Sequence, residues 1–182
     1  MNSKTFTAAA IIIGALTTSK ISLGDIFSGK TPHNHIECMA KNIYFEAKSQ
    51  SLVGQLAVGL VVLNRVKSKH FPDDVCKVVY QGPVKESWKT KKYPNLPKEL
   101  RKYYPVRHRC QFSWYCDGFK DVIKEPSVYA NIVSVATKLM GDVYDFTDGA
   151  THYHATYVSP EWANLEVAFT IDDHIFYRPK KK

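Results

Sequence analysis

The sequence predicts a mainly helical α+β domain. Two observations carry this. Three long segments repeat apolar residues at three- and four-residue spacing, and the chain after about residue 150 changes to extended runs rich in Thr, Tyr, Val, Ile and Phe. A third observation sets the scale: 182 residues, 45% of them hydrophobic, suffice for one packed core.

The first helix is predicted over Ile36–Lys48, where Ile36, Met39, Ala40, Ile43 and Ala47 share a face. Leu52–Val66 follows. It is apolar nearly all round and reads as the buried central helix. Gln55 and Asn64 interrupt it, and each needs a hydrogen-bond partner or a cleft to face. Phe71-Pro72-Asp73-Asp74 makes a turn before a short apolar piece, Val75–Tyr80. Prolines 83, 94, 97 and 105 break up the next stretch, with one short helix expected over Lys98–Tyr104. Cys110–Gly118 is compact and aromatic. The third long helix opens at Pro126-Ser127, with Ser127 as expected N-cap, and stops at Gly141. Ala150–Tyr157 and Ala168–Tyr177 read as the strands of a small β-hairpin.

Ahead of this domain, Phe6–Thr18 is a charge-free, Ala- and Ile-containing stretch of signal-peptide length, short of the roughly 20 residues that span a bilayer. It reads as a cleaved signal or an uncleaved signal-anchor, with a core helix as the competing reading. Ser19–Asn34, with Gly24, Gly29 and Pro32, reads as a linker. The expected division is a leader plus linker over 1–34 and one folded domain over 35–182, with a basic insert at 83–109. The expected location is therefore exported: periplasm or cell wall, with membrane contact only through the leader. Cys38, Cys76, Cys110 and Cys116 suit two disulfides in an exported protein, with all three pairings open.

The formal net charge is +8. Between Pro83 and Arg109, nine Lys or Arg stand against Glu86 and Glu99, so 9 − 2 = +7 of that excess lies in one basic insert. The insert is either a solvated surface or an electrostatic foot on an anionic polymer of the cell envelope. No nucleic-acid-reading motif accompanies it. The 13% aromatic content suits stacking against sugar rings as well as a core.

A carboxylic acid among apolar side chains keeps its proton, because desolvation penalises the anion. A glycosidase acid needs that property. Glu46 sits at the margin of the first helix's apolar stripe, beside Met39 and Ile43, facing the expected groove with the second helix; Glu37 points away.

The string Glu37-Cys38-Met39-Ala40-Lys41-Asn42-Ile43-Tyr44-Phe45-Glu46-Ala47 resembles the opening motif of the SleB-type cell-wall hydrolases, which include spore cortex-lytic enzymes and phage lysins. The resemblance continues through Gly54–Val66, Phe71-Pro72, Cys76, Val78–Gln81, Cys110-Gln111-Phe112-Ser113-Trp114, Gly149–Ala155 and His174-Ile175-Phe176-Tyr177, so it covers Ile36–Arg178. It implies a lysozyme-like, lytic-transglycosylase-like fold. It also implies action on the β-1,4 bond between N-acetylmuramic acid and N-acetylglucosamine, and Glu46 as the catalytic acid. Lys48-Ser49-Gln50 departs from the Arg-Gly-Glu usual in the family, which removes an acidic residue near the site.

Gln55, Gln111, Ser113, Trp114, Tyr153 and His154 are the candidate glycan-binding residues. Glu161, Glu166, Asp172 and Asp173 are second carboxylates by type only. With one acid, the muramic acid's own hydroxyl can attack and yield an anhydro sugar; hydrolysis usually calls for a second carboxylate. The expected partner is the glycan strand of peptidoglycan, with no cofactor and no assigned metal, and the protein acts as a monomer. The absence of a separate wall-binding appendage suits a phage endolysin. Two alternatives stand beside this reading. One is a zinc-dependent peptidoglycan amidase, using His152 and His154 with His33, His35 or Glu37. The other is a non-catalytic wall-binding module built on the basic insert.

Overall fold

The computed structural model describes residues 32–160 and 165–180. The leader Phe6–Thr18 and Glu161 lie outside the described residues, as does the side chain of His33. No described helix is long and apolar enough to cross a membrane.

Helix α1 spans Pro32–Ala47, so it begins inside the expected linker. A proline fits a helix's first turn, where the missing N–H has no intrahelical acceptor anyway. Helix α2 spans Leu52–Lys67. Its N-cap is Ser51, whose hydroxyl accepts from the Gly54 N–H at 3.2 Å. A third long helix, called α5 below, spans Pro126–Leu139. Its N-cap is Glu125, not Ser127, because Pro126 takes the first helical position. The Glu125 carboxylate does not cap the helix. It accepts from Lys48 Nζ at 2.8 Å and from the Tyr44 hydroxyl, which ties α5 to the end of α1.

These three helices enclose the core. Met39, Ala40, Ile43 and Tyr44 of α1 meet Ala57, Val58, Val61 and Val62 of α2 and Ile132, Ala136 and Leu139 of α5, all buried. Contact is closest at Gly59. A Cβ there would run into Leu139 and come within 3.3 Å of Ile43 Cδ1 and 3.5 Å of Met39 Sδ. A short helix α3, Val75–Val79, is capped by Asp74, which accepts from the Lys77 N–H at 3.0 Å. The Cys38–Cys76 disulfide joins α1 to α3, beside a His35–Asp74 pair at 3.0 Å.

The basic insert is a small folded lobe. Strand β1, Val84–Glu86, pairs antiparallel with β2, Tyr103–Pro105. A one-turn helix α4, Trp88–Lys91, lies between them. The helix expected over Lys98–Tyr104 is only a 3-10 turn, Lys98–Leu100, because the following residues pair with β1 instead. Arg101 holds the lobe together: it donates to Glu86 Oε1 at 2.9 Å, Leu96 O at 3.0 Å and Pro94 O at 2.7 Å.

The expected hairpin is a three-stranded antiparallel sheet. Strands β3 (His152–Ala155), β4 (Leu165–Ile171) and β5 (His174–Pro179) lie in the order β3-β5-β4. The run Ala168–Tyr177 is thus two strands, turned at Asp172, which adopts φ 49°. Aspartate tolerates that left-handed conformation better than most residues. The Asp172 carboxylate accepts from the Ser51 N–H at 2.9 Å and the Ser51 hydroxyl at 2.7 Å, clasping the α1–α2 corner. Gln50 donates to Asp173 at 3.2 Å from the same corner.

Candidate active site

A cleft of about 600 Å³ opens where the end of α1 meets the sheet. Phe45 and Glu46 come from α1, Arg65 from α2, and Tyr153, His154 and His174 from β3 and β5. Most of its remaining wall is the 110–117 segment, a loop and 3-10 turn (Ser113–Cys116) closed by the Cys110–Cys116 disulfide, with Ala155 and Tyr157 completing it. A second, smaller concavity adjoins the first, sharing Phe45, Trp114 and Asp117 with it.

Glu46 points into the cleft, and Oε2 accepts from the Tyr153 hydroxyl at 3.0 Å. Burial raises the pKa of the carboxyl above the ordinary glutamate range; the Tyr153 hydrogen bond and the positive charge of Arg65 pull it part of the way back. The Tyr153 phenol is itself raised well above 10, first by burial and then by Glu46, so it stays a donor. Burial thus makes the acid give up its proton less readily than an exposed glutamate would, while one oxygen is fixed in place. Such a group can protonate a bridging oxygen and then accept a proton back.

Arg65 did not stand out in the sequence, although a charge inside an otherwise apolar helix is a visible signal. It is 4% exposed. Its guanidinium lies between the rings of Phe71 (5.2 Å) and Phe112 (5.0 Å), and Nε donates to Thr151 O at 2.7 Å. Nη1 has no hydrogen-bond partner. His174 also went unpredicted. It is buried at the cleft floor against Tyr153, with ring centroids 5.2 Å apart, and burial keeps it neutral by lowering its pKa.

Of the residues expected to bind glycan, Gln111, Ser113, Trp114, Tyr153 and His154 all line the cleft. Gln111 and Ser113 are exposed there. Trp114 is only 7% exposed. Phe45 stacks on its ring at 4.8 Å and its indole N–H donates to the buried Asn42 at 3.1 Å, so it is mainly a core residue. His154 stacks on Tyr177, with both ring nitrogens hydrogen-bonded at 2.8 Å, to Ala155 O and the Tyr177 hydroxyl. Gln55 does not line the cleft; it reaches back to Gln50 O at 3.3 Å.

Glu166 pairs with Arg178 at 2.7 Å, and Asp172 and Asp173 brace the α1–α2 corner, so none of the three lines the cleft. Gln50 belongs to that same corner, which locates the departure from Arg-Gly-Glu there. Asp117 is the other carboxylate in the cleft lining. Its Oδ1 accepts from the Phe119 N–H at 2.7 Å.

Among the described residues, His152 and His154 do not converge with other metal-ligating side chains. The one group that does is His35, Asp74 and Cys76, and there the sulfur is held in a disulfide. Burial lowers the pKa of His152 to about 4. Glu37 is exposed on α1, paired with Lys41 at 2.9 Å.

Comparison with solved structures places this architecture in a class, the SleB catalytic-domain fold. The catalytic domain of Bacillus anthracis SleB, described as a germination-specific lytic transglycosylase, aligns with TM-score 0.53 at 23% identity, over 82% of this chain and 98% of that one. The Bacillus cereus SleB catalytic domain aligns with TM-score 0.50 at 22% identity, over 80% and 91%. The chain belongs to the cell wall hydrolase family, whose model matches residues 49–177; Glu46 stands just ahead of that stretch.

Curated relatives are similar over a shorter span. The spore cortex-lytic enzyme of Halalkalibacterium halodurans is 46% identical over 48 residues, 26% of this chain and 14% of that protein. That of Bacillus subtilis strain 168 is 36% identical over 53 residues, 29% and 17% respectively. The matches thus span less than a fifth of each relative. Together these findings bear out the resemblance and the mainly helical α+β fold read from the sequence.

Proposed function

We propose that the chain cleaves the β-1,4 bond between N-acetylmuramic acid and N-acetylglucosamine in peptidoglycan, with Glu46 as the general acid. The observation that carries this reading is the placement of Glu46: a carboxyl whose pKa burial raises, held by Tyr153, in a groove lined by aromatic and polar side chains.

The chemistry needs only that one acid. Glu46 gives its proton to the glycosidic oxygen, which leaves as the 4-hydroxyl of N-acetylglucosamine. The 6-hydroxyl of the muramic acid forms a bond to its own C1 and passes its proton to the Glu46 carboxylate. The product is an anhydro sugar and the acid is regenerated. Arg65, whose charge favours the ionised form of Glu46, stabilises the carboxylate that exists between the two transfers. Support for this route over hydrolysis comes from the lytic transglycosylase name carried by the Bacillus anthracis structural neighbour.

The two disulfides support action outside the reducing cytosol, in the periplasm or cell wall. An amidase reading loses support because, among the described residues, His152 and His154 do not join a ligand cluster.

Mass spectrometry of digested peptidoglycan tests the route. Anhydromuramic ends are expected; reducing ends would mean hydrolysis, and freed peptides an amidase. Glu46→Gln is expected to lower turnover by about 10²–10⁴-fold, the usual contribution of a general acid. Unchanged lysis would remove Glu46 from the mechanism. Lost lysis with retained wall binding separates an enzyme from a binding module.

A further inference from the structure

The folded basic lobe carries a surface that the cleft chemistry does not use. Trp88, Tyr93, Tyr103 and Tyr104 are all exposed, Trp88 to 71%. Exposed aromatics scattered singly are ordinary, but several gathered on one small lobe mark an interaction surface. Here they stand among lysines. Lys89 and Lys92 each lie 5.9 Å from the Trp88 ring centroid, and Lys92 lies 4.9 Å from that of Tyr93. A concavity of about 460 Å³ between the strands and α4 is lined by Lys85, Glu86, Ser87, Trp88, Lys89 and Tyr104.

The surface has an uncompensated positive charge. Glu86, the acid in the concavity, is bound by Arg101 at 2.9 Å. Lys85, Lys89 and Lys92 have no ion-pair partner among the described residues. The lobe is also prebuilt, because Arg101 ties its turn to its strand through side-chain and carbonyl contacts. A surface ordered in advance loses little entropy when a ligand arrives.

Its position connects it to the cleft. The chain runs from Pro105 at the end of β2 to Cys110 in the cleft wall. Backbone bonds fix that passage: Val106 N–H to Pro83 O at 2.8 Å, His108 N–H to Cys116 O at 3.0 Å and Gln111 N–H to Gln81 O at 2.9 Å. Even fully extended, five peptide steps reach only about 18 Å, so the end of β2 lies beside the groove wall.

We propose that the β1–α4–β2 lobe is a second binding site for peptidoglycan, outside the catalytic cleft. The class of ligand follows from the two kinds of side chain. A peptidoglycan strand alternates sugar rings, whose apolar faces stack on Trp88 and Tyr104, with peptide arms whose free carboxylates pair with Lys85 and Lys89. A phosphodiester polymer of the wall would satisfy the lysines but leave the aromatic faces without ring partners. The choice of glycan over nucleic acid rests on the reading of the neighbouring groove as a glycan cleft. The lobe then holds the polymer near that groove and raises the local concentration of bonds within it.

Sedimentation of the whole chain with insoluble peptidoglycan stripped of phosphate-bearing polymers tests this. Trp88→Ala with Tyr104→Ala is expected to weaken binding at least tenfold. Lys85→Gln with Lys89→Gln is expected to weaken it and to flatten its dependence on salt. Both pairs are surface changes and should leave cleavage of short soluble glycan fragments as in the parent chain. Parent-like sedimentation of both variants would overturn the proposal. So would a loss confined to duplex DNA or to walls that retain phosphodiester polymers. Absence of fragment cleavage by the parent chain would instead defeat the catalytic reading, while sedimentation still reports on the lobe.

Discussion

The two disulfides are expected to separate stability from activity. Cys38–Cys76 closes a loop with a sequence separation of 38, and Cys110–Cys116 one of 6. The chain-entropy relation assigns about 3.9 kcal/mol to the first and about 2.2 kcal/mol to the second. The long bridge joins α1 to α3, away from the cleft lining; the short one shapes a wall that contributes Gln111, Phe112, Ser113 and Asp117. Replacing Cys38 and Cys76 by Ala should therefore give the larger loss of unfolding free energy, while the remaining folded fraction cleaves normally. Replacing Cys110 and Cys116 should give the smaller loss and reduce turnover at least tenfold, because the loop is free to leave its cleft-lining conformation. Equilibrium urea unfolding reports the first quantity, and release of soluble fragments at a temperature where both variants are folded reports the second. A larger stability loss from the short bridge, or full activity without it, would refute the assignment.

Three further outcomes follow from single side chains. Glu46 is raised above its unfolded value, so the native state holds its proton longer and stability falls as pH climbs between the ordinary glutamate value and the raised one. The melting temperature of Glu46→Gln should accordingly gain on that of the parent across that window and run parallel above it; parallel curves throughout would contradict the burial of the charge. Tyr153→Phe removes a bond that favours the ionised carboxylate. The alkaline limb of the pH–activity profile, where the acid loses its proton, should then move upward, and a downward move would exclude the contact as described. Asn64→Ala leaves Ala150 O and Thr147 Oγ1 without the amide that bonds them at 3.1 and 3.0 Å. It should destabilise by about 1–3 kcal/mol, read as a lower urea midpoint, and a midpoint within error of the parent would refute the bracing role.

The three long helices were legible because each buries a stripe wide enough to leave a periodic trace; Glu46 was singled out by the motif around it, its place at the margin of such a stripe being a weak signal alone. Other features leave no periodic trace. Strands β1 and β2 are three residues each, so alternation cannot show itself. The run Ala168–Tyr177 looked continuous because its turn uses two aspartates rather than glycine or proline, and Asp172 supplies the positive φ. Gln55 was misplaced for a related reason: helical position indicates which way a side chain starts, but its flexible amide turned back to the carbonyl of Gln50. Trp114 joined the core because Asn42, a buried polar residue on α1, gives its indole N–H an acceptor. Arg65 was hidden by its neighbours. Its aromatic sandwich is assembled from Phe71 and Phe112, which become adjacent only in the fold.

The order of the sheet bears on synthesis. Strand β5 is the last of the described strands to leave the ribosome, yet it is the middle one. Until it emerges, β3 and β4 have no shared partner, and the histidine that backs Tyr153 is not in place. A nascent chain, or one clipped ahead of His174, therefore carries the acid without the wall that holds it. On the proposed reading of the cleft, its assembly therefore waits for translation of β5.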